Sequence, residues 1–262
     1  MRAEWMVFTA MAFMLNGCAT SPLIPTPEEK QALASTGKLR IGFQNNNAHA
    51  TKDPTSGDYR GPAIDFGKEL ARRLGVPFQP VPYETVVELV NSVTKGEWDV
   101  LSIGMNPERA KTMEFSAPYS QIENGFLVGK DSPISAISEI DRAGIRVAVL
   151  ERVGSDLFLT KTLKHATLIR VRTFADSIEL VKTGKADATA FIKTGLYPAS
   201  DKIPGSRILE GSIQTVEIGI AVPKGSDISA RYIRKFVDEL KAQGFVKQSI
   251  ERSGVRGLMA AP

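Results

Sequence analysis

Short apolar runs and amphipathic stretches alternate along this chain, and the alternation occurs twice on one plan. Leu39 to Phe43 is an apolar run of strand length. Ala63, Ile64, Gly67, Leu70, Ala71 and Leu74 trace one helical face, and Val86, Leu89, Val90 and Val93 trace another. Between them Pro77 to Tyr83 is extended, and Pro77, Pro80 and Pro82 confine it to a sheet edge or strand end, because proline lacks the N–H a central strand must donate. With Asp99 to Ile103, apolar enough to be buried on both faces, these segments make a βαβαβ unit with a parallel sheet and right-handed crossovers.

The second unit follows Asp131-Ser132-Pro133. It reads as strand Arg146 to Leu150, helix Ser155 to Leu163, strand Thr167 to Val171, helix Phe174 to Thr183 and strand Asp187 to Phe191. Two lobes of one design need connections, and the apolar runs Gly125 to Val128 and Ile218 to Val222 are placed to cross between them. After the second crossing, the face formed by Ile233, Phe236, Val237 and Leu240 is predicted to pack back on the first lobe. The expected fold class is α/β: two lobes, each a mainly parallel sheet flanked by helices, with two crossing strands as hinge. Lobe 1 takes residues 38–124 and 219–262, and lobe 2 takes 125–218.

The 262 residues, 42% hydrophobic and 24% charged, are enough for one large or two modest cores and exclude a disordered chain. A net charge of +4 without runs of Lys or Arg interleaved with aromatics excludes nucleic acid as a partner. Residues 1–17 read as a signal peptide, with Arg2 ahead of the apolar segment Trp5 to Leu15, too short to span a bilayer. Leu15-Asn16-Gly17-Cys18 looks like a lipobox, in which Cys18 would carry a lipid; cleavage after Ala19 is the competing reading. Cys18 is the only cysteine of an exported chain and has no disulfide partner, so lipidation gives it a use. Residues 18–37, with Pro22, Pro25 and Pro27, read as a tether holding the fold off the membrane.

The chemistry concentrates in Gly96 to Tyr119. After the strand ending at Gly104, Asn106 reads as an N-cap, Pro107 suits the first helical position, and Glu108 complements the positive helix end. A helix is therefore predicted to start here, with the N–H groups of Gly104, Met105 and Asn106 open to an anion and Arg109 on its first turn. The bland alternative pairs Arg109 with Glu108 or Glu114 on a solvated surface. The loop Gln44-Asn45-Asn46-Asn47-Ala48-His49 follows the first strand and faces the same crevice, although asparagine runs also serve ordinary turns.

Other chemistries lack support. Dinucleotide, Walker-type, hydrolase-elbow and zincin motifs are missing, so no cofactor is expected. Matches to S-x-x-K at Ser35 and Ser92 and to K-T-G at Lys182 and Lys193 fall at positions unsuited to a β-lactamase-like site. His49 and His165, the only histidines, have no ligand-type neighbours at metal spacing, so no metal site is expected.

Asp99, Gly104, Glu108-Arg109 and Phe115-Ser116-Ala117-Pro118-Tyr119 together resemble a signature of type II periplasmic solute-binding proteins of the polar amino-acid class, the bacterial extracellular solute-binding proteins of family 3. The resemblance extends roughly from Gly37 to Arg252. One departure is a shortened loop between Gly104 and Pro107, which lacks the family's Thr-containing step. The resemblance implies a periplasmic, monomeric and non-enzymatic component of an ABC importer that closes on a solute and presents it to a permease, and the lipobox reading adds a lipid anchor at Cys18. It assigns Arg109 to a ligand carboxylate, with backbone at Gly104, and gives lobe 2 a hydroxyl at a helix start, here Ser155. The family's acid for an α-ammonium, near the end of the strand that begins at Asp187, is replaced by Ile192 and Lys193. The expected ligand is therefore a small anionic, carboxylate-bearing solute rather than a simple amino acid. Arg109, Gly104, Asn106, Gln44, Asn45, Asn47, Ser155 and Lys193 are its expected contacts. The rival readings are a cyclohexadienyl-dehydratase-like enzyme using Glu151, Lys193 and His49, and a sensor for a membrane receptor.

Overall fold

A computed structural model describes residues 23–262. In chain order its elements are α1 Pro27–Leu33, β1 Leu39–Gln44, β2 Thr51–Lys52, β3 Tyr59–Arg60, α2 Pro62–Leu74, β4 Phe78–Tyr83, α3 Val86–Asn91, β5 Val100–Gly104, β6 Met113–Phe115 and β7 Ser120–Val128. They continue with β8 Arg146–Leu150, α4 Gly154–Thr162, β9 Thr167–Val171, α5 Phe174–Lys182, β10 Ala188–Ile192, α6 Lys193–Asp201, β11 Arg207–Ile208, β12 Gln214–Pro223, α7 Asp227–Ala242, α8 Phe245–Ser253 and β13 Leu258–Ala260.

The sheet runs β4-β1-β5-β12-β7-β10-β8-β9. Its two ends are parallel ladders, β4-β1-β5 and β10-β8-β9, and its middle is antiparallel. The proline-bearing β4 lies at one edge, where its missing donors leave no partner unpaired. Strands β7 and β12 pair with each other and each joins one end: β12 binds β7 from Gln214 to Ile218 and β5 from Ile218 to Ala221, while β7 binds β12 and then β10. These are the two crossing strands of a two-lobed fold.

Helix α2 buries Ala63, Ile64, Phe66, Gly67, Leu70, Ala71 and Leu74 against β1 and β4. A Cβ at Gly67 would overlap the Phe78 ring, so glycine lets the helix lie close to the sheet. Helix α7 returns to the same core through Ile233, Phe236, Val237 and Leu240, as its sequence face predicts. Separate clusters around Phe126, Val147, Val149 and Ala190, and around Leu127, Ala148 and Phe191, fill the second lobe.

Two expectations are corrected here. The stretch 18–37 is not a featureless tether throughout, because Thr26 and Glu29 form a reciprocal capping box that opens α1, and Leu33 is fully buried. No α-helix starts at Asn106 either. Only a short 3-10 turn, Arg109–Lys111, fits before β6, and the Met105 N–H is spent on the Glu217 carbonyl at 2.7 Å. The signal-peptide and Cys18 assignments lie outside the described residues. No helix among the described residues is long and apolar enough to cross a membrane.

Candidate functional site

The lobes enclose a cleft of about 1060 Å³. One wall comes from the loop after β1 (Gln44 to Asn47) and the start of α3; the other comes from Leu150 to Val153, Thr173, Phe174, Phe191 and α6. Phe174 and Phe191 stack with centroids 4.5 Å apart and give the second wall an aromatic face. A smaller chamber of about 60 Å³ shares Gln44, Asn46, Val86, Val153, Phe191 and Ile192 with the cleft and continues inward to Gly104, Arg109, Asn124, Gly154 and Val216. Several times the volume one water requires, it suits a small polar group.

Arg109 is 9% exposed and lines this chamber. Its backbone N–H donates to Asn106 Oδ1 at 2.9 Å, and Nη1 donates to the Gly104 carbonyl at 2.5 Å. No carboxylate among the described residues pairs with the guanidinium, and burial alone pulls its pKa down to about 10. It is charged at neutral pH and electrostatically uncompensated, an arrangement that favours an arriving anion. Beside it His49 places Nδ1 2.8 Å from Ser102 Oγ, which lies 2.7 Å from the Tyr119 hydroxyl. Burial first and the Arg109 charge second push His49 down to about 3, and burial pushes Tyr119 up to about 12. The trio is neutral and hydrogen-bonded, so it supports the floor of the chamber without adding charge.

Of the residues expected from sequence, Gln44 lines both spaces, Gly104 lines the chamber, and Asn45 and Asn47 line the cleft. Asn45 donates to Glu84 at 3.2 Å, and Asn47 reaches across to the Thr194 carbonyl at 3.3 Å. The other three are not brought to the ligand space. Asn106 is occupied as the cap of Arg109. Ser155 is fully buried with its hydroxyl on the Ala190 carbonyl at 3.3 Å. Lys193 turns onto β7, where its stem would touch a Cβ on Gly125 and its ammonium pairs with Glu123 at 2.6 Å. The position that meets the chamber is Ile192. Glu151 lines the cleft and is exposed.

Sequence reasoning missed Asn124, Val216 and the Phe174–Phe191 pair. The one available signal for Asn124 was a polar residue immediately ahead of the apolar run at Gly125. Among the described residues no group of three or more His, Cys, Asp or Glu side chains is placed to hold a metal ion.

The profile of the bacterial extracellular solute-binding proteins, family 3, matches residues 39–253. The ABC transporter glutamine-binding protein GlnH of Bacillus subtilis (strain 168) is 24% identical over 221 residues, covering 81% of this chain and 80% of that protein. The crystal structure of the P235GK mutant of ArgBP from T. maritima superposes with a TM-score of 0.73 at 28% identity, covering 86% of this chain and 99% of that one. The ancestral amino acid-binding protein AncCDT-1, a precursor of cyclohexadienyl dehydratase, shares the fold with a TM-score of 0.72 at 24% identity over 85% of this chain and 97% of its own.

Proposed function

The chain belongs to the bacterial extracellular solute-binding proteins, family 3, and on that premise we propose that it is the substrate-binding component of an ABC importer, taking a small carboxylate-bearing solute into the cleft between its lobes. The observation that carries the carboxylate is Arg109, a buried guanidinium that has no acidic partner among the described residues and lines the inner chamber. A planar carboxylate would meet its open donors with charge-assisted hydrogen bonds and supply the missing countercharge.

Residues 38–124 and 219–262 move as one lobe in this reading and 125–218 as the other, hinged on β7 and β12. A solute touching Arg109 from the first lobe and the Phe174–Phe191 wall from the second makes contacts that only the closed form has. It therefore shifts the open–closed equilibrium by its differential affinity, and the permease reads the closed form. Cys18 anchors the protein to the membrane through its lipid. Metabolic labelling with a palmitate analogue tags the wild type and not Cys18→Ser; an unlabelled wild type removes the anchor. For the function itself, protein isolated without denaturation and weighed by native mass spectrometry carries a carboxylate-bearing compound. Recovery of a solute without an acid group overturns the reading.

A further inference from the structure

Helix α6 is the part of the second lobe that the first lobe holds by its side chains. With the lobes taken as residues 38–124 with 219–262 and residues 125–218, the side-chain hydrogen bonds and ion pairs that join them among the described residues all end on α6. Two lie at its first turn. Lys193 pairs with Glu123, and Asn47 donates to the Thr194 carbonyl, to which Pro198 four residues on has no N–H to give. The third lies one to two turns further along. Arg256 Nη2 donates to Asp201 Oδ2 at 3.0 Å and to Oδ1 at 3.2 Å, and its guanidinium carbon stands 4.3 Å from the centroid of the Tyr197 ring. Gly257 follows with a φ of 87°, and a Cβ there would come within 2.9 Å of Tyr197, so glycine lets the tail lie against the ring. Asp201 ends α6, where an acid opposes the helix dipole, so the helix itself does not account for its place.

The tail that carries Arg256 is fixed to the first lobe. Strand β13 pairs with β7 from Ser120 to Ile122, Leu258 packs in the first lobe's core, and the Ala261 N–H donates to the Tyr119 carbonyl. On α6, Gly195, Pro198 and Ala199 line the cleft, whereas Lys193, Tyr197 and Asp201 form an i, i+4, i+8 row that meets Glu123 and the tail. At 3.6 residues per turn the two sets point about 150° apart. We propose that Arg256 is a strap behind the hinge that holds the empty protein open. The proposal rests on the hinge-closure reading and adds the contact that opposes closure. Closing the cleft carries α6 toward the Gln44 to Asn47 loop and away from the tail behind it. Lys193, at the start of the helix against β7, moves least, and Asp201, at its far end, moves most. The side chains of Arg256 and Asp201 are 56% and 63% exposed, so their pairing adds little to the stability of the fold. It matters for closure, because apparent affinity falls in proportion to the fraction of molecules able to close.

The test is a distance measurement between two spin labels in protein dialysed free of solute. One label sits on Lys38→Cys, ahead of β1, and the other on His165→Cys, ahead of β9, with Cys18→Ser so that no other thiol reacts. Both positions are exposed and precede strands whose far ends lead into the cleft wall, so closure shortens their separation. Arg256→Glu, which sets two acids against each other, raises the population at the shorter separation about fivefold or more. Asp201→Arg alone does the same, and the two substitutions together restore the wild-type ratio, as loss of a merely structural contact would not. An unchanged ratio in the single variants, or a shift to the longer separation, overturns the strap and leaves hinge closure standing. One separation shared by the wild type and every variant overturns both.

Discussion

In the first lobe Arg40, on β1, grips Asp99 at 2.7 Å and sends Nη1 to the Gly96 carbonyl at 2.7 Å. In the second, Arg146 on β8 grips Asp187 at 2.9 Å and sends Nη2 to the Gly184 carbonyl at 2.8 Å. Gly96 and Gly184 hold matching left-handed turns, with φ of 63° and 66°. Threonine capping boxes open α3 and α5, at Thr85 with Glu88 and at Thr173 with Asp176. One frame has been used twice. The contents differ where the strands end: the first lobe sends a charged side chain, Arg109, into the chamber, and the second sends a bare glycine, Gly154, with Phe191 and Ile192, while Phe174 stacks on Phe191 in the outer cleft. A repeated scaffold thus leaves recognition to the loops and strand ends, and here it divides the work into a charged anchor and an apolar wall.

The two ion pairs differ in burial, with side-chain exposures of 16% and 6% for Arg40 and Asp99 against 41% and 30% for Arg146 and Asp187. Removing one partner of a buried pair strands the other charge, whereas water replaces much of an exposed pair. Asp99→Ala is therefore expected to destabilise by about 3 kcal/mol and Asp187→Ala by about 1 kcal/mol, read from urea unfolding. Equal losses would mean that the shared frame is equally weighted in both lobes.

A smaller effect is expected in the second lobe as pH falls. The hydrogen bond from Arg146 holds the Asp187 carboxyl below its ordinary value. A depressed carboxylate contributes stability that is present above its unfolded pKa, about 3.9, and is lost as pH falls through the folded value. The wild type should thus lose more stability than Asp187→Asn on acidification below about pH 4. Parallel acid titrations of unfolding would sink this account.

The frame was legible because it is written in local terms. Apolar runs of strand length, helical stripes and prolines at an edge or strand end gave the repeated βαβαβ plan of the lobes and the crossing of β7 and β12. The lining of the cleft and chamber was legible only where chemistry and position coincide, at Arg109, Gly104 and the Gln44 to Asn47 loop. Asn106 and Pro107 carry real helix-start chemistry, but the chain needs those residues to reach β6, and tertiary demand overrides local preference. Thr26-Pro27-Glu28-Glu29 held a readable capping box that the surrounding prolines obscured. Ser155 and Lys193 have suitable side chains, yet a one-residue difference in direction at the end of β10 puts Ile192 into the chamber and Lys193 onto Glu123. Asn124 could not be found from its neighbours in sequence, because its surroundings are assembled from β10, β12 and α4.

The account turns on whether Arg109 is kept for a ligand or for the fold, and Arg109→Met separates the two. A near-isosteric apolar side chain removes a buried, uncompensated charge, so the ligand-free protein should melt about 2–4 °C higher. The same substitution should weaken the tightest-binding carboxylate by about thirtyfold or more, the loss expected for a desolvated charged contact. Paired thermal unfolding and calorimetric titration of the wild type and Arg109→Met give both readouts. A higher midpoint with lost binding is the predicted result; a lower midpoint with affinity retained would make Arg109 a structural strut for the Gly104 carbonyl and contradict the account.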